Sequence, residues 1–252
     1  MDAATEPQLH RHIIEPEHVG LKRAQPDGQG WARRRSGSGW RFTNASGKSL
    51  SDPHKRRCLK LAIPPAWRDV WISPCPRAHI QAYGEDAAGR RQYIYHDEWR
   101  AACEAAKFED LPRFAEALPR FRAKVSRVLK SSEDDGDLAL ATLARLIDVS
   151  GIRIGNPRSA KTARTFGAAT LKRRHLRLEE NEATLKFKGK GGVEHERHID
   201  DPILLDALQH LAGLPGPDLF AGPSIKVTGG DLNDFIPHCM KLPFTAKDFR
   251  TR

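Results

Sequence analysis

Three cations stand in short, distinctive contexts: Gly151-Ile-Arg153-Ile-Gly-Asn156, Phe187-Lys-Gly-Lys190 and Thr245-Ala-Lys-Asp-Phe-Arg250. Residues of these types suit phosphoryl transfer at a phosphodiester. That reaction needs an in-line nucleophile, positive charge facing the non-bridging oxygens, and a proton for the departing oxygen. Arginine meets the second need, because its planar fork grips two oxygens and stays protonated. Lysine meets the third, because its pKa falls when it is desolvated among other cations. Such a scheme needs no metal, and Asp and Glu are not clustered among the candidates. Singly, each residue has an ordinary alternative. Arg153 could close a helix C-terminus, Lys190 could decorate a hairpin tip, and Arg250 could be a solvated helix residue.

The elements that must carry these residues can be read from periodicity. Leu138 to Ser150 is patterned as a helix, and Arg153 follows it. The acidic break Glu133-Asp-Asp-Gly-Asp137 upstream reads as a loop. Strand-like runs at 174–178, 183–187 and 193–199 flank Lys190, with Gly189-Lys190-Gly191-Gly192 as a hairpin signal between the last two. Helices are expected at about 202–212 and 231–238, the latter capped by its Asp, and a last one from Thr245. Upstream, Phe114, Leu118, Phe121, Val125 and Val128 share a helical face, with breaks or a kink expected at Pro112 and Pro119. Residues 39–99 alternate β-type runs with turns, including a hairpin from His79-Ile-Gln-Ala-Tyr83 to Arg90-Arg-Gln-Tyr-Ile-Tyr95. Residues 1 to about 38, with Arg33-Arg-Arg, read as a basic, loop-rich arm.

Composition bounds the function class. The 252 residues carry 42 Lys and Arg against 32 Asp and Glu, a net charge of +10, which points to a polyanionic partner. The charge is uneven: residues 151–178 hold eight Arg or Lys and no Asp or Glu. No apolar run is long enough for a membrane span, and Met1-Asp-Ala-Ala-Thr-Glu is not a secretory signal. Four scattered cysteines without metal spacing suggest reduced thiols in a cytoplasmic protein.

The chain resembles the type IB DNA topoisomerases of the bacterial poxvirus-like group. The motifs that carry the resemblance include Leu61-Ala-Ile-Pro-Pro-Ala-Trp67, His79-Ile-Gln81, Gly89-Arg-Arg-Gln-Tyr-Ile-Tyr-His96, Arg153-Ile-Gly-Asn156, Arg174-His175, Phe187-Lys-Gly-Lys190 and Thr245-Ala-Lys-Asp-Phe-Arg250. It implies an α+β protein with a small β-rich N-terminal lobe and a mainly helical catalytic lobe that contains a three-stranded sheet. The boundaries expected are a basic arm over 1–38, a β-rich DNA-clamp domain over 39–105, connecting helices and linker over 106–135, and a catalytic domain over 136–252. The family relaxes supercoiled duplex DNA through a 3′-phosphotyrosyl intermediate, without ATP or metal. The resemblance makes Arg153 and Arg250 the catalytic arginines and Lys190 the general acid. DNA contacts are expected at Arg90, Arg91, Gln92, Tyr93, Tyr95, Lys172, Arg174 and Lys247, although Tyr93 and Tyr95 could equally be packing aromatics. Along that strand Arg91, Tyr93 and Tyr95 should face opposite to Gln92, Ile94 and His96.

The chain departs from the family in two places. Asn156 is followed by Pro157 and Ser159 where the family usually continues with Glu and Tyr. After Arg250 the sequence gives Thr251-Arg252, and its tyrosines are Tyr83, Tyr93 and Tyr95. The family's nucleophilic Tyr is therefore expected to be missing through C-terminal truncation, leaving a marginally stable catalytic lobe. Two functions stay open: a topoisomerase completed by further sequence or by a separate fragment supplying the Tyr, and an inactive module that holds DNA. Otherwise a monomer is expected. A tyrosine recombinase fits the N-terminal motifs poorly, and a basic structural protein leaves the motif order unexplained.

Overall fold

The computed structural model describes residues 14–26, 28–223 and 225–250. It is an α+β protein in two compact units, divided between Glu109 and Asp110. The N-terminal unit holds an antiparallel five-stranded sheet made of β1 (Trp31–Ser36), β2 (Gly39–Thr43), β3 (Arg68–Ile72), β4 (Ile80–Glu85) and β5 (Arg91–Tyr95), in the order β2-β1-β3-β4-β5. Helix α1 (Asp52–Lys60) lies between β2 and β3 in the chain. One core joins Trp31, Phe42, Cys58, Val70, Ile72 and Ala82.

Part of the expected N-terminal arm is therefore a strand. Arg33, read as a basic-arm residue, is only 8% exposed. Its guanidinium donates to the carbonyls of Ile63 (2.8 Å), Pro64 (2.9 Å) and Trp67 (3.0 Å) and lies 4.0 Å from the Trp40 ring centroid. Three carbonyls offset the cost of burying its charge. They also explain Ile63-Pro-Pro-Ala-Trp67, a segment whose irregular backbone turns its acceptors onto one guanidinium. Arg57 acts similarly, donating to Ser73 O and Gln81 Oε1 at 2.7 Å each, while the Gln81 amide donates to Ala78 O (2.6 Å) and Pro76 O (3.0 Å).

Helix α2 runs unbroken from Asp97 to Ser131, with Pro112 and Pro119 inside it. The expected breaks do not occur. Both prolines are exposed, as are Phe108 and Ala115 four residues before them, so water can satisfy the carbonyls that lose a helical partner. From Asp110 onward the C-terminal unit adds α3 (Asp135–Ser150), α4 (Pro157–Thr162), α5 (Pro202–Gly213), α6 (Gly229–Met240) and an antiparallel sheet of β6 (Leu176–Leu178), β7 (Ala183–Lys188) and β8 (Glu194–Ile199), in sequence order. The core is centred on α3, whose Leu143, Leu146 and Ile147 are fully buried, with Phe121, Leu185, Leu204, Leu208 and Ile236 around them.

Several local readings shift. Asp135-Gly-Asp137, read as loop, forms the first turn of α3: Asp134 is the N-cap and accepts from Asp137 N (2.8 Å). Acidic residues are favoured there because they face the positive end of the helix. Helix α6 is capped by Thr228 rather than by Asp231, whose carboxylate completes a capping box by accepting from Thr228 N and Oγ1 at 2.8 and 2.7 Å. The helix expected from Thr245 is a single 3-10 turn, Asp248–Arg250. The Asp248 carboxylate accepts from Thr245 N (2.7 Å) and Oγ1 (2.9 Å), closing the segment into a tight turn.

Candidate nucleic-acid interface and phosphate site

Three separate devices in the C-terminal unit place the three cations. Arg153 lies beyond α3, which ends at Gly151 in the left-handed conformation (φ 60°). The 151–156 segment is held by close contact between two glycines. A Cβ on Gly167 would meet Arg153 O at 2.3 Å and Gly155 N at 2.5 Å, and Gly155 itself has φ +89°. Ala168 N and Ala169 N donate to Arg153 O (2.7 Å) and Ile154 O (2.8 Å). The backbone around Arg153 is thus fixed on both sides of its side chain.

Lys190 opens a turn between β7 and β8. Gly189 N donates to Val193 O (2.7 Å) and Gly192 N to Gly189 O (3.0 Å), while Gly191 and Gly192 take φ values of 79° and 81°. Behind the turn the His195 ring stacks on Phe187, with centroids 5.2 Å apart. It fills the space a Gly189 Cβ would need, at 2.4 Å, so a larger residue before Lys190 would displace the His195 ring. Arg250 is presented by its neighbour: Phe249 is 1% exposed and packs against Phe114 and Phe121, both at 5.0 Å. Ala246 is also buried, and Ala246 N donates to Asn233 Oδ1 (3.1 Å). Lys247 and Arg250, on the other side of the turn, are exposed.

Arg153, Lys190, Lys247 and Arg250 meet around one cavity of about 370 Å³. Burial, and then the charge of Arg153, lower the pKa of the Arg250 guanidinium, while Asp248 opposes the shift. Two guanidiniums that feel each other's repulsion are poised for an anion between them. Among the described residues, no group of His, Cys, Asp and Glu could hold a metal ion, and no helix is long and apolar enough to cross a membrane.

His195, Arg197 and Phe166 also line this cavity, and none was identified from sequence. Two of them had a signal. A turn centred on Gly191 pairs Phe187 with His195 and Leu185 with Arg197, so His195 and Arg197 share a face with the buried side of β7. Phe166 had none, because it sits in an irregular segment held by Phe166 N donating to Lys188 O (2.7 Å).

Lys172 and Arg174 line a second, larger cavity in the same unit, with Phe166 as a shared wall. Lys172 is ion-paired to Asp218. His175 is buried and packs edge-on to Phe166 at 4.4 Å. Its Nδ1 accepts from Lys172 N (3.0 Å). Burial, followed by Arg174 and Lys172, lowers its pKa, so the neutral ring carries its proton on Nε2.

The remaining candidates belong to the N-terminal unit. On β5, Arg91, Tyr93 and Tyr95 are exposed, while Gln92 and Ile94 are partly covered. The exposed side forms an aromatic ladder: Trp71 stacks on Tyr83 (5.4 Å), Tyr83 contacts Tyr93 (6.1 Å), and Tyr93 stacks on Tyr95 (5.9 Å). The inner rungs are covered in part, with Trp71 Nε1 donating to Gly28 O (3.2 Å) and Tyr83 Oη to Pro26 O (3.2 Å). Tyr93 and Tyr95 stay 40% and 42% exposed, and Arg91 lies 4.8 Å from the Tyr83 ring centroid. Arg90 and Gln92 are engaged with Asp86, to which they donate at 2.9 and 3.0 Å. Hydrogen bonds from the Arg90 backbone and side chain hold that carboxyl at a pKa of about 2.

Comparison with known proteins adds an independent line. The eukaryotic DNA topoisomerase I catalytic core family matches residues 96–252, and the bacterial DNA topoisomerase IB N-terminal domain matches residues 39–86. DNA topoisomerase 1B of Acanthamoeba polyphaga mimivirus is 30% identical over 204 residues, covering 77% of this chain and 61% of that protein. DNA topoisomerase 1B of Vaccinia virus (strain Copenhagen) is 30% identical over 113 residues, covering 45% of this chain and 36% of that protein. The chain thus spans less than two thirds of either relative's length. Among solved structures, the XerH site-specific recombinase bound to difH substrate overlaps 54% of this chain and 39% of its own, at 17% identity and a TM-score of 0.39, a likeness too loose to bear on function.

Proposed function

Because the chain belongs to the type IB DNA topoisomerase family, we propose that it binds duplex DNA and activates one backbone phosphate with Arg153, Lys190 and Arg250. The observation that carries this reading is the meeting of those three cations, from three distant chain segments, around one cavity. In the complete reaction a tyrosine oxygen attacks the phosphorus in line, and the bond to the 5′-oxygen breaks. Arg153 and Arg250 hold the non-bridging oxygens as their charge grows, supplying the preorganised stabilisation that cleavage needs. Lys190 gives its proton to the departing 5′-oxygen and takes it back when the 5′-hydroxyl reseals the nick. The phosphodiester energy is kept in the 3′-phosphotyrosyl bond, so ATP is not required. In the N-terminal unit, Arg91, Tyr93 and Tyr95 offer a charged aromatic face to a DNA groove.

A second reading rests on a specific fact: the tyrosines of these 252 residues are Tyr83, Tyr93 and Tyr95, all in the N-terminal unit, whereas the three cations belong to the C-terminal unit. Residues 1–252 then hold and polarise a phosphate without cutting it. Both readings are tested by mixing the 252-residue chain with a labelled duplex suicide substrate. Salt-sensitive binding without a protein–DNA adduct is expected. A covalent adduct formed by these residues alone would overturn the assignment of the nucleophile to other sequence. Binding indifferent to salt would overturn the phosphate site itself.

A further inference from the structure

The second cavity in the C-terminal unit, about 730 Å³, is twice the size of the one that gathers the three cations. That volume lies within the roughly 300–1,000 Å³ of small-molecule sites. Lys161, Arg164, Lys172, Arg174 and Lys226 line it. Among its described lining residues Asp218 is the only carboxylate, and it is already ion-paired to Lys172. Between the cations the wall is apolar, formed by Phe166, Ala169, Ala221 and Val227. Thr228 and Gly229, at the start of α6, complete the lining.

Arg164 sets this cavity apart from a generally basic surface. It follows the end of α4 in the left-handed region, at φ 48°, where glycine is the usual residue. Ala163 N and Thr165 N both donate to Ser159 O, at 2.9 and 3.3 Å, so the turn is fixed. A cation is kept at a strained position, and its side chain lines the cavity. A DNA backbone needs only a charged track. A concave site with apolar walls among cations suits a ligand that has both a ring and several negative charges.

We propose that this cavity binds a nucleoside polyphosphate, with the base against the apolar wall and the phosphates among Lys161, Arg164, Arg174 and Lys226. The inference goes beyond the phosphate-activating site and does not depend on it. The test is calorimetric titration of the 252-residue chain with ATP, adenosine and inorganic tripolyphosphate, using the unaltered protein, Arg164→Gly and Arg153→Ala. ATP is expected to bind in the micromolar range, with adenosine and tripolyphosphate each at least about tenfold weaker, because each lacks half of the recognised chemistry. Arg164→Gly should weaken ATP binding at least about tenfold while raising the melting temperature, since it removes the backbone strain. That pairing separates lost binding from lost folding. Arg153→Ala should leave ATP affinity unchanged. The proposal is overturned if tripolyphosphate binds as well as ATP, which would mean a diffuse basic surface. It is also overturned if Arg164→Gly retains full affinity, if Arg153→Ala loses it, or if ATP gives no binding at millimolar concentration.

Discussion

Lys190 illustrates how much of the chemistry is set by single residues. Glycine at position 189 leaves room for the His195 ring, which occupies the Cβ space behind the turn. In an assembly that carries the tyrosine, Lys190→Ala should slow strand cleavage by about 10²–10⁴-fold, the usual weight of a general acid. A substrate whose 5′-oxygen is replaced by sulfur, a better leaving group that needs no proton, should recover most of the loss. An unchanged rate with the normal substrate would remove Lys190 from proton transfer. His175 supplies a pH dependence. Its folded-state pKa lies below the ordinary value of about 6.5, so the unfolded chain takes up the proton first. Its contribution to stability is complete above about pH 6.5 and is lost as pH falls through the depressed folded value. Urea titrations from pH 7.5 down to 5 should show this decline, and it should be smaller in His175→Phe. Equal slopes in the two proteins would assign the pH dependence to other groups. At this scale the sequence was most informative, because Arg153, Lys190, Lys247 and Arg250 could be chosen from their flanking motifs. Phe166 was hidden, since an aromatic in an irregular segment has no periodic pattern to reveal it.

Elements position these residues through close backbone approaches and buried charge. Gly167→Ala would drive a Cβ to 2.3 Å from Arg153 O, and backbone cannot yield as a flexible side chain would. A loss of about 1–3 kcal/mol is expected, the usual range for overpacking, together with weaker DNA binding through a displaced Arg153. Gly213→Ala is the control: at the end of α5 its Cβ meets nothing within 4 Å, and a helical Ala should be neutral or up to about 1 kcal/mol stabilising. Equal effects of the two substitutions would show that the Gly155–Gly167 contact does not matter. Asp148 on α3 is 1% exposed and accepts from Arg122 at 2.8 and 3.0 Å, with Arg145 at 3.6 Å. Asp148→Ala leaves Arg122, which is nearly half exposed, without this partner, while Arg145 keeps its ion pair with Asp201, and should cost about 1–3 kcal/mol in denaturant titration. A loss below about 1 kcal/mol would mean that solvent replaces the carboxylate. The helical face of α2 and the β7–β8 hairpin were legible from spacing. The continuity of α2 past Pro112 and Pro119, the acidic first turn of α3 and the strand at Trp31–Ser36 were not. Each of these depends on whether a group reaches solvent or a distant partner, which local pattern does not record.

At the scale of the molecule, the net charge of +10 is organised rather than spread evenly. In the C-terminal unit the cavity of the three cations and the larger basic cavity share Phe166 as a wall, and the N-terminal unit presents an aromatic ladder beside Arg91. The α+β class followed from the change of period along the chain. The two compact units divide within a continuous helix, between Glu109 and Asp110, where composition shifts gradually through residues 97–131. The central claim is that Arg153 and Arg250 grip the same phosphate, and a double-mutant cycle on duplex DNA affinity at fixed low salt tests it most directly. The account predicts coupling: the loss in Arg153→Ala/Arg250→Ala should fall short of the summed single losses by about 0.5–3 kcal/mol, as for groups that share a partner. Losses that add to within about 0.5 kcal/mol would place the two arginines on separate phosphates and contradict it.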